Sequence, residues 1–179
     1  MQALFGPRGA CGGCWCMYWR LKRSEFTEKT GKGNRLAMQA LIQSGEVPGL
    51  LAYIQPDNEN EPPQAVGWVS IGPRQSFPVL ERSRILKPVD DQPVWSIVCF
   101  FVARPYRRKG LMVPLINAAV EYARQQGAHI VEAYPVEPKQ ERTSDVFVYT
   151  GLASAFQKAG FVEAARRSET RPIMRKIIS

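Results

Sequence analysis

Val98–Gly127 reads VCFFVARPYRRKGLMVPLINAAVEYARQQG, and the fold follows from this stretch. Val98, Cys99, Phe100, Phe101 and Val102 make an apolar run of β-branched and aromatic residues, which predicts a buried strand. Arg104-Pro105-Tyr106-Arg107-Arg108-Lys109-Gly110 is a tight basic turn. Beyond it, Leu111, Leu115, Ala118, Ala119 and Tyr122 predict an amphipathic helix that starts between Arg108 and Leu111 and stops at Gly127. Pro114 has no N–H to lose and is tolerated in or near a first helical turn.

A strand that runs through a basic glycine turn into a helix predicts an anion site. The first N–H groups of a helix have no internal partner, and the helix dipole places roughly half a positive charge there. Phosphate suits such a place. Arg107, Arg108 and Lys109 add full charges, and Gly110 permits close backbone approach. The turn lacks the G-x-x-x-x-G-K-[ST] spacing of a Walker loop and the G-x-G-x-x-G of a dinucleotide fold.

The segment resembles motif A of the GCN5-related N-acetyltransferases (GNAT), a strand ending in Val followed by [RQ]-x-x-G-x-[GA]. Here Val102 precedes Arg107-Arg108-Lys109-Gly110-Leu111-Met112, with Met112 where the family has Gly or Ala. Tyr149 to Phe161 is similar to the family's motif B, N-x-x-A-x-x-x-Y-x-x-x-G-F. Gly160-Phe161 match, while Tyr149, Leu152 and Phe156 stand at the Asn, Ala and Tyr positions. The resemblance covers residues 46–178. It implies an α/β (α+β) fold: a central mixed, twisted sheet flanked by helices.

Composition agrees with one globular domain over residues 1–179, since hydrophobic residues are 45% and charged residues 22%. No apolar run approaches the length that spans a bilayer. The N-terminus lacks the apolar core of a secretory signal, so a cytoplasmic protein without a membrane partner is expected. The net charge is +8. Its central cluster suits a polyphosphate coenzyme better than nucleic acid, because no basic tail or arginine-rich helix accompanies it.

Residues 1–24 carry Cys11, Cys14 and Cys16 with Trp15, Met17, Tyr18 and Trp19. One reading is a zinc or redox site, short of a fourth ligand unless Cys99 or His129 joins. The other is a buried aromatic and thiol segment, in keeping with how often free Cys is buried. In the family arrangement this region flanks the acceptor. Only Met1 to Phe5 precede the Gly/Cys stretch, so the family's first strand is expected to be missing, very short or replaced. The resulting sheet edge invites a homodimer. A helix is expected over Asn34–Gln43, capped by Asn34, with Leu36, Met38, Ala40, Leu41 and Ile42 apolar. A hairpin is expected from Gly49–Gln55 and Ala65–Ile71. Gly72 to Asp91 is either a lid over the acceptor or a surface loop. Strands are expected at Pro93–Val102 and, parallel to it, Ile130–Tyr134. A loop over Pro135–Asp145, a helix over Phe147–Ala159 and strands at Phe161–Arg166 and Arg171–Ile178 complete the reading.

The resemblance implies transfer of an acetyl group from acetyl-CoA to an amine by direct attack. Backbone groups of Phe100, Phe101 and Val102 would pair with pantetheine and polarise the thioester. Amides of Arg107, Arg108, Lys109, Gly110, Leu111 and Met112 would hold the pyrophosphate. Many family members use the motif B Tyr as acid, but Phe156 cannot donate, which leaves Tyr149 as the nearest substitute or as a packed aromatic. Ser96 occupies the place of a strand Glu base. The carboxylates left are Glu132, a base if burial raises its pKa or else a solvent-facing strand residue, and Glu137 in the loop after it; a water relay with no dedicated base is the alternative. Cys99, amid apolar residues, reads as an inert thiol. Two other readings stand beside the transferase. One is a catalytically weak acyl-CoA-binding module or sensor. The other is a Cys-rich nucleic-acid-binding protein, which ignores the strand order.

Overall fold

The computed structural model describes residues 1–56, 58, 60–139 and 148–178. In chain order the elements are α1 (Gln2–Phe5), α2 (Arg23–Glu28), α3 (Lys32–Gln43), β1 (Gly49–Ile54), β2 (Gln64–Pro73), α4 (Pro78–Arg82) and β3 (Trp95–Val102). Then follow α5 (Met112–Gln125), β4 (Ile130–Ala133), α6 (Ala153–Lys158), β5 (Val162–Arg166) and β6 (Pro172–Ile177). Six strands form one mixed sheet in the order β1-β2-β3-β4-β6-β5. Among the described strands only β3 and β4 pair in parallel, and α5 crosses between them. Among the described residues no strand precedes Gly49, and the first 48 residues form helices and turns.

The turn glycines expected to end helices do so with positive φ, Gly127 at 80° and Gly160 at 84°. That conformation is cheap only without a Cβ. The buried stripe of α5 is Leu115, Ile116, Ala119, Val120 and Ala123. Ala118 is exposed, so the packed side is rotated from the expected one. α3 also differs. It begins two residues early, at Lys32, and Asn34 lies inside it rather than capping it. Asn34 is fully buried and its Nδ2 donates to the Gly13 carbonyl at 3.1 Å, tying α3 to the cysteine segment. Leu36 and Ile42 are exposed, and only Asn34 and Met38 of this helix are buried.

A bulge in β3 shapes both sheet faces. Ser70 pairs with Cys99 and Ile71 with Ile97, so Val98 is an extra residue. Ile97 and Phe100 therefore share one face, packed with Leu115, Ile116, Phe156 and Met174. Val98 and Cys99 both join the opposite cluster, with Phe5, Trp15, Cys16, Trp19, Trp68 and Tyr134. The N-terminal segment thus provides the second layer of the core. Burying its indoles and thioethers stabilises the sheet by about 1.5–3 kcal/mol per large side chain. Gly72 to Asp91 holds a 3-10 turn (Arg74–Ser76) and α4. Part of the expected 135–145 loop, and Phe147 at the start of the expected last helix, lie outside the described residues. No helix among the described residues is long and apolar enough to cross a membrane.

Candidate active site

β3 and β4 stay paired over only Trp95–Ile97 and Val131–Ala133. Beyond Ile97 they part, and a cleft of about 1430 Å³ opens along the end of β3. That exceeds the usual 300–1,000 Å³ of a small-molecule site and gives room for a nucleotide-sized ligand beside a second substrate. Phe100, Phe101, Val102, Arg107, Arg108, Gly110, Leu111 and Met112 line it, whereas Lys109 does not. The Lys109 ammonium sits 5.5 Å from the Tyr106 ring centre. Gly110 has φ 79°, and a Cβ there would meet nothing within 4 Å. Its need for glycine is therefore conformational. Arg108, at φ 60°, shares the left-handed region without that freedom.

Two backbone groups at the mouth of the parting are already engaged. The Phe100 N–H donates to the Tyr149 carbonyl at 2.6 Å. Two residues on, the Val102 carbonyl accepts from Arg107 Nε at 2.9 Å. The segment 148–152 fills part of the gap between the strands, because Val136 N–H also donates to the Gly151 carbonyl at 2.9 Å. Gly151 makes this possible with φ 90°, where a Cβ would stand 2.7 Å from Phe156 Cε2.

Tyr149 lines the cleft, and burial pushes its phenol up to about 12, with Tyr18 adding to the shift. A phenol in that state stays protonated at neutral pH and is able to donate. Phe156, at the motif B Tyr position, is fully buried against Phe100 and Phe161, at ring separations of 6.0 and 5.0 Å. It packs and supplies no proton.

Glu132 is not in the cleft. Its side chain is fully buried, and one oxygen accepts from Arg74 Nη1 at 2.9 Å and Tyr134 Oη at 2.6 Å. The other accepts from Arg175 Nε at 2.6 Å. Both readings made from the sequence, a base and a solvent-facing residue, give way to an ion-pair hub. Arg74 extends it to Glu81 and Arg175 to Asp90. Ser96 hydrogen-bonds Tyr134 Oη at 2.9 Å and so belongs to the same network. These bonds anchor residues 74–91 to the sheet. None of those residues lines the main cleft.

The cysteine segment also enters the site. Cys11, Cys14, Cys16 and Cys99 all line the cleft. Cys16 and Cys99 are buried, with their sulfurs 3.4 Å apart. The hydrogen bond to Cys16, followed by burial, pushes the Cys14 thiol well up. Cys16 is also raised: its bond with Cys14 works the other way, but Cys99 and burial outweigh it. Thiols so placed are poor nucleophiles. Among the described residues no group of three or more His, Cys, Asp or Glu is placed to hold a metal ion. Sequence reasoning missed Phe26, Tyr106, Lys139 and Lys158 as cleft residues. Phe26, an aromatic in an otherwise polar helix, carried the one local signal.

A comparison with curated protein sequences finds no match. Among solved structures, the chain is similar to the NatC complex bound to Gag peptide and CoA. That likeness has a TM-score of 0.50 and 12% identity, over 82% of this chain and 80% of that one. It is also similar to the PaiA N-acetyltransferase from Thermoplasma acidophilum in complex with coenzyme A, at a TM-score of 0.49 and 15% identity, over 93% and 87% of the chains. At 12% identity the first likeness is one of fold alone. The model of the acetyltransferase (GNAT) family matches residues 17–147, which span β1 to β4 and the basic turn. With the parted parallel strands and that turn, this places the chain in the GNAT acetyltransferase family.

Proposed function

We propose that the protein transfers the acetyl group of acetyl-CoA to a primary amine by direct attack within a ternary complex. The observation that carries this is one cleft shared by the freed edge of β3, the basic turn before α5 and the Tyr149 phenol. Acetyl-CoA supplies the activated acyl group and a thiolate leaving group. Arg107 and Arg108, with the turn amides through Met112, suit its phosphates. The β3 backbone from Phe100 to Val102 offers donors and acceptors to an extended chain. Tyr149 is the group we assign to protonating the departing thiolate. Proximity in the cleft supplies the remainder, since a neutral amine attacks a thioester without covalent catalysis, and the proton its nitrogen sheds returns through water to the Tyr149 phenolate. β1 and β5 are the edge strands of the sheet among the described residues, which leaves room for a homodimer, and light scattering tests it.

A second reading is favoured by one contact. The Phe100 N–H, the donor that would polarise the thioester, is held by the Tyr149 carbonyl. If acetyl-CoA leaves that bond in place, the chain binds acyl-CoA and transfers it slowly or not at all.

The test is calorimetric titration of acetyl-CoA into wild type and an Arg107→Ala/Arg108→Ala variant, followed by thiol release with a panel of amines. Micromolar binding that the variant weakens at least about tenfold supports the phosphate cradle, two charge-assisted contacts being worth that much or more. Binding without thiol release selects the second reading. Absence of binding to wild type overturns both.

A further inference from the structure

Beyond the basic turn, the cleft wall is built from rings. Tyr18, Trp19, Phe26 and Tyr149 all line it. They touch in a chain: Tyr18 lies 5.1 Å from Trp19, 5.5 Å from Phe26 and 6.5 Å from Tyr149, centre to centre. Tyr18 keeps 41% of its surface exposed, so its ring is available to a ligand. Trp19 is only 5% exposed, yet its Nε1–H has no hydrogen-bond partner among the described residues.

Tyr18 and Trp19 also border a second cavity of about 380 Å³, together with Lys22, Arg23 and Arg82. The charged side chains described along the two cavities are all cations, with Arg107, Arg108, Lys158 and a Lys139 already paired with Glu169 in the main one. Such a field draws in a polyphosphate and opposes a second polycation. Aromatic faces favour flat rings and tolerate a single ammonium.

Resting on the acetyl-transfer reading, we propose that the acceptor is an aromatic primary amine without a further positive charge. Its ring is held among Tyr18, Trp19, Phe26 and Tyr149, beside the coenzyme end of the same cleft. Polyamines and lysine-rich peptides are the acceptors this wall disfavours.

The experiment compares phenethylamine, spermidine and a lysine-rich peptide as acetyl acceptors for wild type, Tyr18→Ala and Phe26→Ala. Thermal unfolding serves as a check that each variant folds, and two variants guard against one that does not. Phenethylamine is expected to show the highest kcat/KM, by about tenfold or more. Tyr18→Ala is expected to raise its KM about tenfold at nearly constant kcat, the signature of lost ring contacts felt equally in ground and transition states. Preference for spermidine or the peptide overturns the inference and leaves the transfer reading standing. If no amine is acetylated, the transfer reading fails instead. Phenethylamine is then titrated into protein saturated with CoA. Binding that Tyr18→Ala weakens upholds the aromatic site, and absence of binding overturns it.

Discussion

Replacing Glu132 by Gln separates a structural carboxylate from a catalytic one. Three donors converge on Glu132 within 2.9 Å, and its side chain has no solvent exposure. Its two guanidinium partners, Arg74 and Arg175, keep only 10% and 11% of their side-chain surface. An amide at this place loses the charge and turns N–H groups toward N–H groups. Breaking a buried pair from one side costs about 3–5 kcal/mol, because the stranded charge cannot recover its water. For a chain of this length each kcal/mol lowers Tm by about 2–4 °C, so a fall on the order of 10 °C is expected. Arg74 keeps Glu81 at 2.7 Å and the Leu86 carbonyl at 2.9 Å, which holds the loss toward the lower end. A Glu132→Met/Arg175→Met double variant removes both charges. It should recover part of the loss, since two partners are left over: Asp90, an exposed carboxylate, and Arg74, which is buried but keeps Glu81 and the Leu86 carbonyl. The assay is thermal unfolding of the three proteins, with acetyl-CoA affinity measured in parallel. That affinity should not change, because Glu132 does not reach the cleft. A Glu132→Gln protein that unfolds within about 2 °C of wild type refutes the network as a source of stability.

Thiol reactivity should sort by depth. Cys11 is exposed, Cys14 is half-buried and raised, and Cys16 and Cys99 are buried. An aromatic disulfide reagent should therefore label Cys11 first in the native protein and all four cysteines after denaturation. Rapid labelling of Cys16 or Cys99 in the native state contradicts the packing. Absorbance titration at 295 nm should show Tyr149 ionising near pH 12, a step that Tyr149→Phe removes. The sign follows from linkage: a folded pKa above the unfolded value of about 10 contributes stability below pH 10, which is lost as pH rises toward 12. Loss of a step near pH 10 instead would show that the phenol is solvated.

The strand, basic turn and helix around Gly110 were legible because each is a local decision. Apolar runs, a proline-bearing first turn and glycine stops act within a few residues of one another. The two partial motifs carried the order of β3, α5, β4 and α6 for the same reason. The rest depended on residues distant in sequence. Glu132 meets Arg74 across 58 positions and Arg175 across 43, and no local pattern marks a carboxylate inside an apolar strand as an ion-pair hub. Cys16 reaches Cys99 across 83 positions, through a segment with no sheet periodicity of its own. The Val98 bulge reassigns faces within a run that reads as uniformly apolar. Periodicity is blind to such a slip, because an extra residue changes which side each neighbour faces without changing composition. Sequence alone thus determined a strand edge and a basic glycine turn. Only tertiary structure decided that aromatic rings and thiols from the N-terminus complete the cleft. It alone placed the Tyr149 carbonyl on the Phe100 amide, because both depend on which long-range surfaces find one another when the core closes.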